Sequence, residues 1–240
     1  MFSVSVRLAH SRSAALRAAR HTTMLPTRSA RSYATRPIVL PTTCPSCGTP
    51  LPTRLPACPK CRYIQRIPDD YDYYDLLRTE KSANPFQLDR GKLRRNFLEL
   101  QRYIHPDVWS PYGDDKVDVA RDLSGVVNKA YNTLLVPLSR AQYILRDHGL
   151  DVSETDQVED PQLLMEILES REALEEAQAQ TDVDAIRVEN AERISAVVNE
   201  IDEHIGARDW NAAHRAAVKL KYLEGIEQAA KSWPSAPFDH

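Results

Sequence analysis

Four cysteines, the only ones in this 240-residue chain, stand as Cys44-Pro-Ser-Cys47 and Cys58-Pro-Lys-Cys61. Two thiolates at this spacing on a tight turn can take two corners of a tetrahedron. A second pair, ten residues further on, can close it around one metal ion. Pro45 and Pro59 preset the bends, which turn backbone N–H groups toward sulfur. Four thiolates on Zn²⁺ leave a local charge of about -2, which Arg54, Lys60, Arg62 and Arg66 are placed to offset. Disulfides, a redox dithiol and an iron–sulfur cluster are the rival uses of such a set. A redox CxxC usually opens a helix in a βαβ setting, whereas these pairs lie among Pro41, Pro50, Pro52 and Pro56. With all four ligands supplied by thiolates, the set has no open coordination position, which favours a structural metal over a hydrolytic one.

The second stretch with chemical content is "QRYIHPDVWS", residues 101–110. Leu93, Phe97, Leu100 and Ile104 recur at the spacing of one helix face. His105-Pro106-Asp107 then interrupts it. Proline disfavours helical geometry in the residue before it, so the helix should stop and leave the three residues on an exposed loop. Lys92, Arg94, Arg95 and Arg102 make this helix basic, a footprint suited to an acidic partner surface. Asp107 can accept charge-assisted hydrogen bonds from such a partner, and Pro106 limits the entropy lost on docking. His105 and Asp107 could instead merely stabilise their own turn. A catalytic dyad is disfavoured because no nucleophile motif accompanies the pair.

The elements that must hold these residues are helical. Tyr73, Leu76 and Leu77 mark a short amphipathic turn. The spacing predicts helices over about 89–104, 115–135, and 137–147, with Pro137 at a helix start and His148-Gly149 as a stop. Three longer ones follow, at about 160–179, 182–205 and 208–232, with Asp209 as an N-cap. Short links between them favour an antiparallel three-helix bundle. No segment alternates as a strand. Only seven glycines are present, and neither GxGxxG nor GxxxxGK[ST] occurs, which argues against nucleotide cradles. No apolar run is long enough to span a membrane.

Charge divides the chain sharply. Residues 1–68 carry eleven Lys/Arg and no acid, while the rest holds 20 basic against 34 acidic residues, a balance of -14. The first 36 residues, rich in Arg, Ser and Ala, match the composition of a mitochondrial transit peptide, with a disordered nucleic-acid-binding arm as the alternative. Arg31-Ser32-Tyr33-Ala34 resembles a matrix processing signal with its cut after Tyr33.

Taken together, the Tyr-Tyr-x-Leu-Leu turn, the basic helix, His105-Pro106-Asp107, and a helix ending Val127-Asn-Lys-Ala-Tyr-Asn-Thr-Leu-Leu before Pro137-Leu-Ser-Arg-Ala resemble a J-domain. The chain departs at one place: Arg78 stands where J-domains commonly have glycine, which leaves the exit of the first helix open. Pro161-Gln-Leu-Leu-Met-Glu-Ile-Leu-Glu-Ser-Arg-Glu-Ala-Leu-Glu-Glu and Asp209-Trp-Asn-Ala-Ala with Val218-Lys-Leu-Lys-Tyr-Leu resemble the HscB family's C-terminal helices, and the cysteine module resembles that of its animal-type mitochondrial members.

The resemblance implies an all-α co-chaperone of iron–sulfur cluster biogenesis, without enzymatic activity of its own, in the mitochondrial matrix. It implies a transit peptide over 1–36, a zinc module over 37–68, a J-domain over 69–148 and a helical bundle over 149–240. His105, Pro106, Asp107 and the basic helix would meet a DnaK-class heat-shock chaperone and stimulate its ATPase. Leu164, Met165, Leu168 and Tyr222, rimmed by Glu169 and Glu172, would bind an IscU-type scaffold. From periodicity alone core is the better reading for each of these apolar residues, and Leu223 could extend the same face. Neither nucleic acid nor membrane is expected as a partner, and a homodimer stays open. The competing reading is a general mitochondrial J-protein for folding or import.

Overall fold

The computed structural model describes residues 40–68 and 71–234; the expected transit segment lies outside them. Within the described residues the fold is all-helical, with only isolated bridges, Thr43 to Pro50 and Ala57 to Ile64, in the cysteine module.

Helix α1 (Tyr73–Leu76) is capped by Asp72, whose carboxylate accepts the backbone N–H groups of Tyr74 and Asp75. Its exit resolves the departure noted at Arg78. That residue takes the left-handed conformation, φ 49°, that glycine would adopt more cheaply. The Thr79 N–H reaches back to the Tyr74 carbonyl at 2.9 Å, closing the helix end. Asn96 donates to the carbonyls of Leu77 and Arg78, and the Arg78 guanidinium pairs with Glu99. Contacts with the next helix thus hold a backbone that an arginine would not choose alone.

Helix α2 (Arg90–Ile104) starts at its Asp89 cap and runs antiparallel to α4 (Asp114–Leu135). Leu93, Leu100 and Ile104 are buried in one cluster with Ala120, Leu123, Val127, Ala130 and Leu134. Phe97 stacks on Tyr131 at 4.2 Å, and Ser124 donates to Gln101 across the pair. Truncating any one of these leucines to alanine removes ~2–5 kcal/mol, a large share of a domain's stability. α4 ends where Val136 precedes Pro137, which opens α5 (Pro137–Asp147).

The expected exposed loop at 105–107 takes a more ordered form. Pro106 opens a helical turn, α3 (Pro106–Trp109), which continues into a 3-10 turn over Ser110–Tyr112. Proline fits the first helical position because its missing N–H is unneeded there. His105, extended at φ -60° and ψ 131°, therefore ends one helix and caps the next. Pro106 thus acts on both sides, turning His105 out of α2 and starting α3.

α6 (Pro161–Glu176), α7 (Gln180–Gly206) and α8 (Trp210–Ser232) form the bundle, with Asp209 capping α8 through the Ala212 N–H at 3.0 Å. Ile167, Leu174, Val183, Ile201, Ile205, Leu220, Leu223 and Ile226 fill its core. Buried Asn190 on α7 donates to the Leu223 carbonyl of α8 at 2.9 Å. The same core takes in Phe86 and the Ala141, Ile144 and Leu145 face of α5. Helix α5 is therefore also a wall of the bundle. Asn84 strengthens the join by donating to the Asp202 carbonyl and carboxylate. Gly206 allows this approach, since a Cβ there would meet the Asn84 amide at 3.0 Å.

Candidate functional site

The two cysteine pairs are built alike. The Gly48 N–H donates to the Cys44 carbonyl at 2.9 Å and the Arg62 N–H to the Cys58 carbonyl at 3.1 Å. The Cys44 and Cys58 N–H groups each donate to the carbonyl five residues on, Thr49 and Tyr63, at 2.8 Å. Residues 48 and 62 both lie in the left-handed region, at φ 68° and 62°. This repeated hairpin brings all four Sγ atoms within 4.8 Å of one another, with Cys44 to Cys61 at 3.5 Å and Cys47 to Cys58 at 3.8 Å. A tetrahedral ion with metal–sulfur bonds of about 2.3 Å requires sulfur–sulfur edges of about 3.8 Å, so the donor set fits one thiophilic metal. The hydroxyl and backbone N–H of Thr49 hold the Cys47 thiol down to about 6. The Cys61 N–H, and then that of Lys60, lower Cys58. Both effects favour the thiolate form that binds metal, whereas desolvation pushes the Cys61 thiol up to about 11. Cys44 and Cys58 are buried, while Cys47 and Cys61 lie at the surface.

The module does not dangle from the hairpin. Leu40, Leu55, Ala57 and Ile67 share one core with Tyr71, Tyr74, Trp109 and the α2–α4 leucines. Two arginines expected to offset thiolate charge have specific partners: Arg66 pairs with Asp122 of α4, and Arg62 stacks on Tyr112.

At the His105–Asp107 turn, His105 Nδ1 accepts the Asp107 backbone N–H at 3.3 Å. An Nδ1 that accepts this bond carries no proton, which leaves Nε2–H to donate outward. Nδ1 also lies 3.5 Å from the Asp107 carboxylate. The Asp107 side chain is 89% exposed, so both its oxygens face solvent. The Ser110 hydroxyl donates to the Asp107 carbonyl, so it is not aligned on His105 as a nucleophile would be. Arg94, Arg95 and Arg102 are exposed on α2 and form no ion pair among the described residues, whereas Lys92 reaches Glu80 at 3.4 Å. Two apolar neighbours escaped sequence reasoning. Leu98 lies 47% exposed between the arginines, and Val108, next to Asp107, is 43% exposed. Leu98 falls off the Leu93–Phe97–Leu100–Ile104 stripe, which was the available signal.

On α6 most apolar residues fall either into the core or onto the surface, with Leu163 half-buried between. Ile167 and Leu174 are buried, while Leu164, Met165 and Leu168 are 43%, 58% and 45% exposed. These three lie at i, i+1 and i+4 on one helix side, and Glu169 and Glu172 are exposed beside them. The last helix contributes differently from expectation. Leu223 is fully buried because its side chain faces the bundle axis. Tyr222 is half-buried, packs against the bundle core, and donates its hydroxyl to the Asp156 carbonyl at 3.1 Å.

Comparison with known proteins agrees with this architecture. Residues 159–231 match the family described as the HSCB C-terminal oligomerisation domain. The chain is 33% identical to the human iron–sulfur cluster co-chaperone protein HscB over 175 residues, covering 72% of this chain and 73% of the human one. It is 32% identical to the Arabidopsis thaliana HscB homolog over 167 residues, 70% of this chain and 65% of that one. The crystal structure of human HscB superposes with a TM-score of 0.66 at 33% identity, covering 79% of this chain and 96% of the human chain. Jac1 of Saccharomyces cerevisiae superposes with a TM-score of 0.52 at 25% identity, covering 69% and 98%. Its relatives and its helical architecture place the chain in the HscB family of iron–sulfur cluster co-chaperones.

Proposed function

We propose that this protein carries an IscU-type iron–sulfur scaffold to a mitochondrial DnaK-class chaperone and stimulates that chaperone's ATP hydrolysis. The observation that carries this reading is the presence of two separate exposed surfaces, one on α2 and α3 and the other on α6, with α5 packing into both hydrophobic clusters between them. One is the turn of His105, Pro106 and Asp107 beside Arg94, Arg95 and Arg102; the other is the Leu164, Met165 and Leu168 face with Glu169 and Glu172 at its rim. Lys92, Leu98 and Val108 border the first. Tyr222 supports the second through its place in the bundle.

The physical roles follow from the groups. The outward Nε2–H of His105 and the free carboxylate of Asp107 offer one donor and two acceptor oxygens at a fixed spacing. The arginines attract an acidic partner surface and set its approach. Such contacts accelerate hydrolysis only by favouring the partner's hydrolysis-competent state, so this chain needs no catalytic residue of its own. The apolar face on α6 supplies anchors that are desolvated on scaffold binding. Cys44, Cys47, Cys58 and Cys61 would hold one Zn²⁺ as a structural ion, and the first 36 residues would direct the chain to the matrix. A structural Zn²⁺ supplies cross-linking energy to the two knuckles and no reactive position.

Calorimetric titration with an IscU-type scaffold tests the second surface. Exchanging Leu164 and Leu168 for alanine should weaken binding about a hundredfold, from roughly 1–2 kcal/mol lost per anchor. Unchanged affinity in a stably folded variant would refute the assignment.

A further inference from the structure

The two knuckles are related by a shift of fourteen residues, and at their left-handed position Gly48 in the first corresponds to Arg62 in the second. Both occupy the left-handed region, where a Cβ is strained and glycine is not. The first knuckle shows what the local backbone prefers. Arginine in the second adds a side chain that glycine lacks, and its guanidinium lies 4.6 Å from the centroid of the Tyr112 ring.

Tyr112 leads directly toward the chaperone-facing turn. Its ring meets Trp109 edge-on at 6.1 Å, and buried Trp109 donates its indole N–H to the Tyr103 carbonyl near the end of α2 at 2.9 Å. Trp109 closes the same helical turn that contains Pro106 and Asp107, and the Ser110 hydroxyl ties the next residue back to the Asp107 carbonyl. The path thus runs from the cysteine knuckle through one cation–π contact and one aromatic contact to the His105–Asp107 turn.

We infer that Arg62 is a positioning residue: it braces the turn carrying His105 and Asp107 against the metal knuckle, so the cysteine module takes part in presenting that turn to its partner. The partner's identity rests on the reading above, whereas the brace itself is a property of this chain alone. Arg62 could alternatively serve only as a counter-charge to the thiolates, and the two roles differ in what Arg62→Gly should change.

The test uses the full mature chain loaded with zinc, and variants Arg62→Gly and Tyr112→Leu. Zinc content and its resistance to a competing chelator should be unchanged in both. Amide exchange over residues 106–112 should quicken two- to fivefold in both, and the double variant should be no worse than either single one. The concentration giving half-maximal ATPase stimulation should rise by a similar factor, with scaffold affinity unaffected. Unaltered exchange in Arg62→Gly would overturn the brace, as would loss of zinc by that variant alone. A His105→Asn control that stimulates normally would remove the chaperone reading, and the exchange rates would still decide the brace.

Discussion

His105 Nδ1 accepts the backbone N–H of Asp107 at 3.3 Å, so the imidazole caps the helical turn in which Asp107 sits. The same residue therefore has a structural task, through Nδ1, and an outward-facing task, through Nε2–H. Asparagine can take over the first, because its side-chain oxygen caps helices well, but it cannot place a donor where Nε2–H stands. His105→Asn should keep thermal stability within ~0.5 kcal/mol while abolishing stimulation of the partner ATPase. A variant that melts early would instead assign His105 mainly to the turn. Circular dichroism melts beside steady-state ATPase assays separate the two.

The exposure pattern on α6 predicts opposite outcomes for neighbouring residues. Ile167 is 2% exposed, so Ile167→Ala should cost ~2–5 kcal/mol in urea unfolding. Met165 is 58% exposed, and Met165→Ala should cost well under ~1 kcal/mol. Equal losses at both positions would show that the Leu164–Met165–Leu168 face is covered in solution by this chain itself.

The architecture was legible where one physical signal dominated. Pro106 and Pro137, the Asp209 cap and the 3.6-residue apolar stripes place the helices within a few residues of their observed bounds. The cysteine spacing likewise delivered four sulfurs that converge. What stayed hidden depended on tertiary context. That Arg78 would accept a left-handed backbone follows from Asn96 and Glu99, which approach from another helix. That α5 would join the bundle core follows from which side of Ala141, Ile144 and Leu145 is covered, and periodicity names a face without naming its partner. Leu223 and Tyr222 are adjacent in sequence, yet one is sealed and the other half-open, a difference set by the helix's rotation against α7.

Glu227 on α8 accepts the Arg187 guanidinium of α7 at 2.9 Å and the Lys231 ammonium at 3.3 Å. Arg187 foremost, and Lys231 with it, hold its carboxyl below the ordinary 4.5. An acid whose folded value is depressed adds stability above its ordinary range and loses it as pH falls through the folded value. Urea midpoints should therefore decline below about pH 4.5, and more shallowly in Glu227→Gln. Parallel curves for the two proteins would show that this pair adds nothing to the joint between α7 and α8.

Because Leu40, Leu55, Ala57 and Ile67 share a core with the hairpin, metal loss should be felt beyond the knuckles. The protein should carry about one Zn²⁺ per chain. Chelation or Cys58→Ser should lower the melting temperature by at least ~5 °C, at roughly 2–4 °C per kcal/mol for a chain this size. A metal-free protein with four oxidised cysteines and the same melting point would dismiss the structural ion.

The central claim is that one chain links scaffold capture to a chaperone's ATPase through two distinct surfaces. Single-turnover ATP hydrolysis by the DnaK-class partner, measured with and without the IscU-type scaffold, tests it most directly. The wild-type protein should accelerate hydrolysis alone, and more than additively when scaffold is present. Exchanging Leu164 and Leu168 for alanine should keep the first acceleration and lose the second, while His105→Asn should lose both. Equal acceleration by all three proteins, or none by the wild type, would contradict the account.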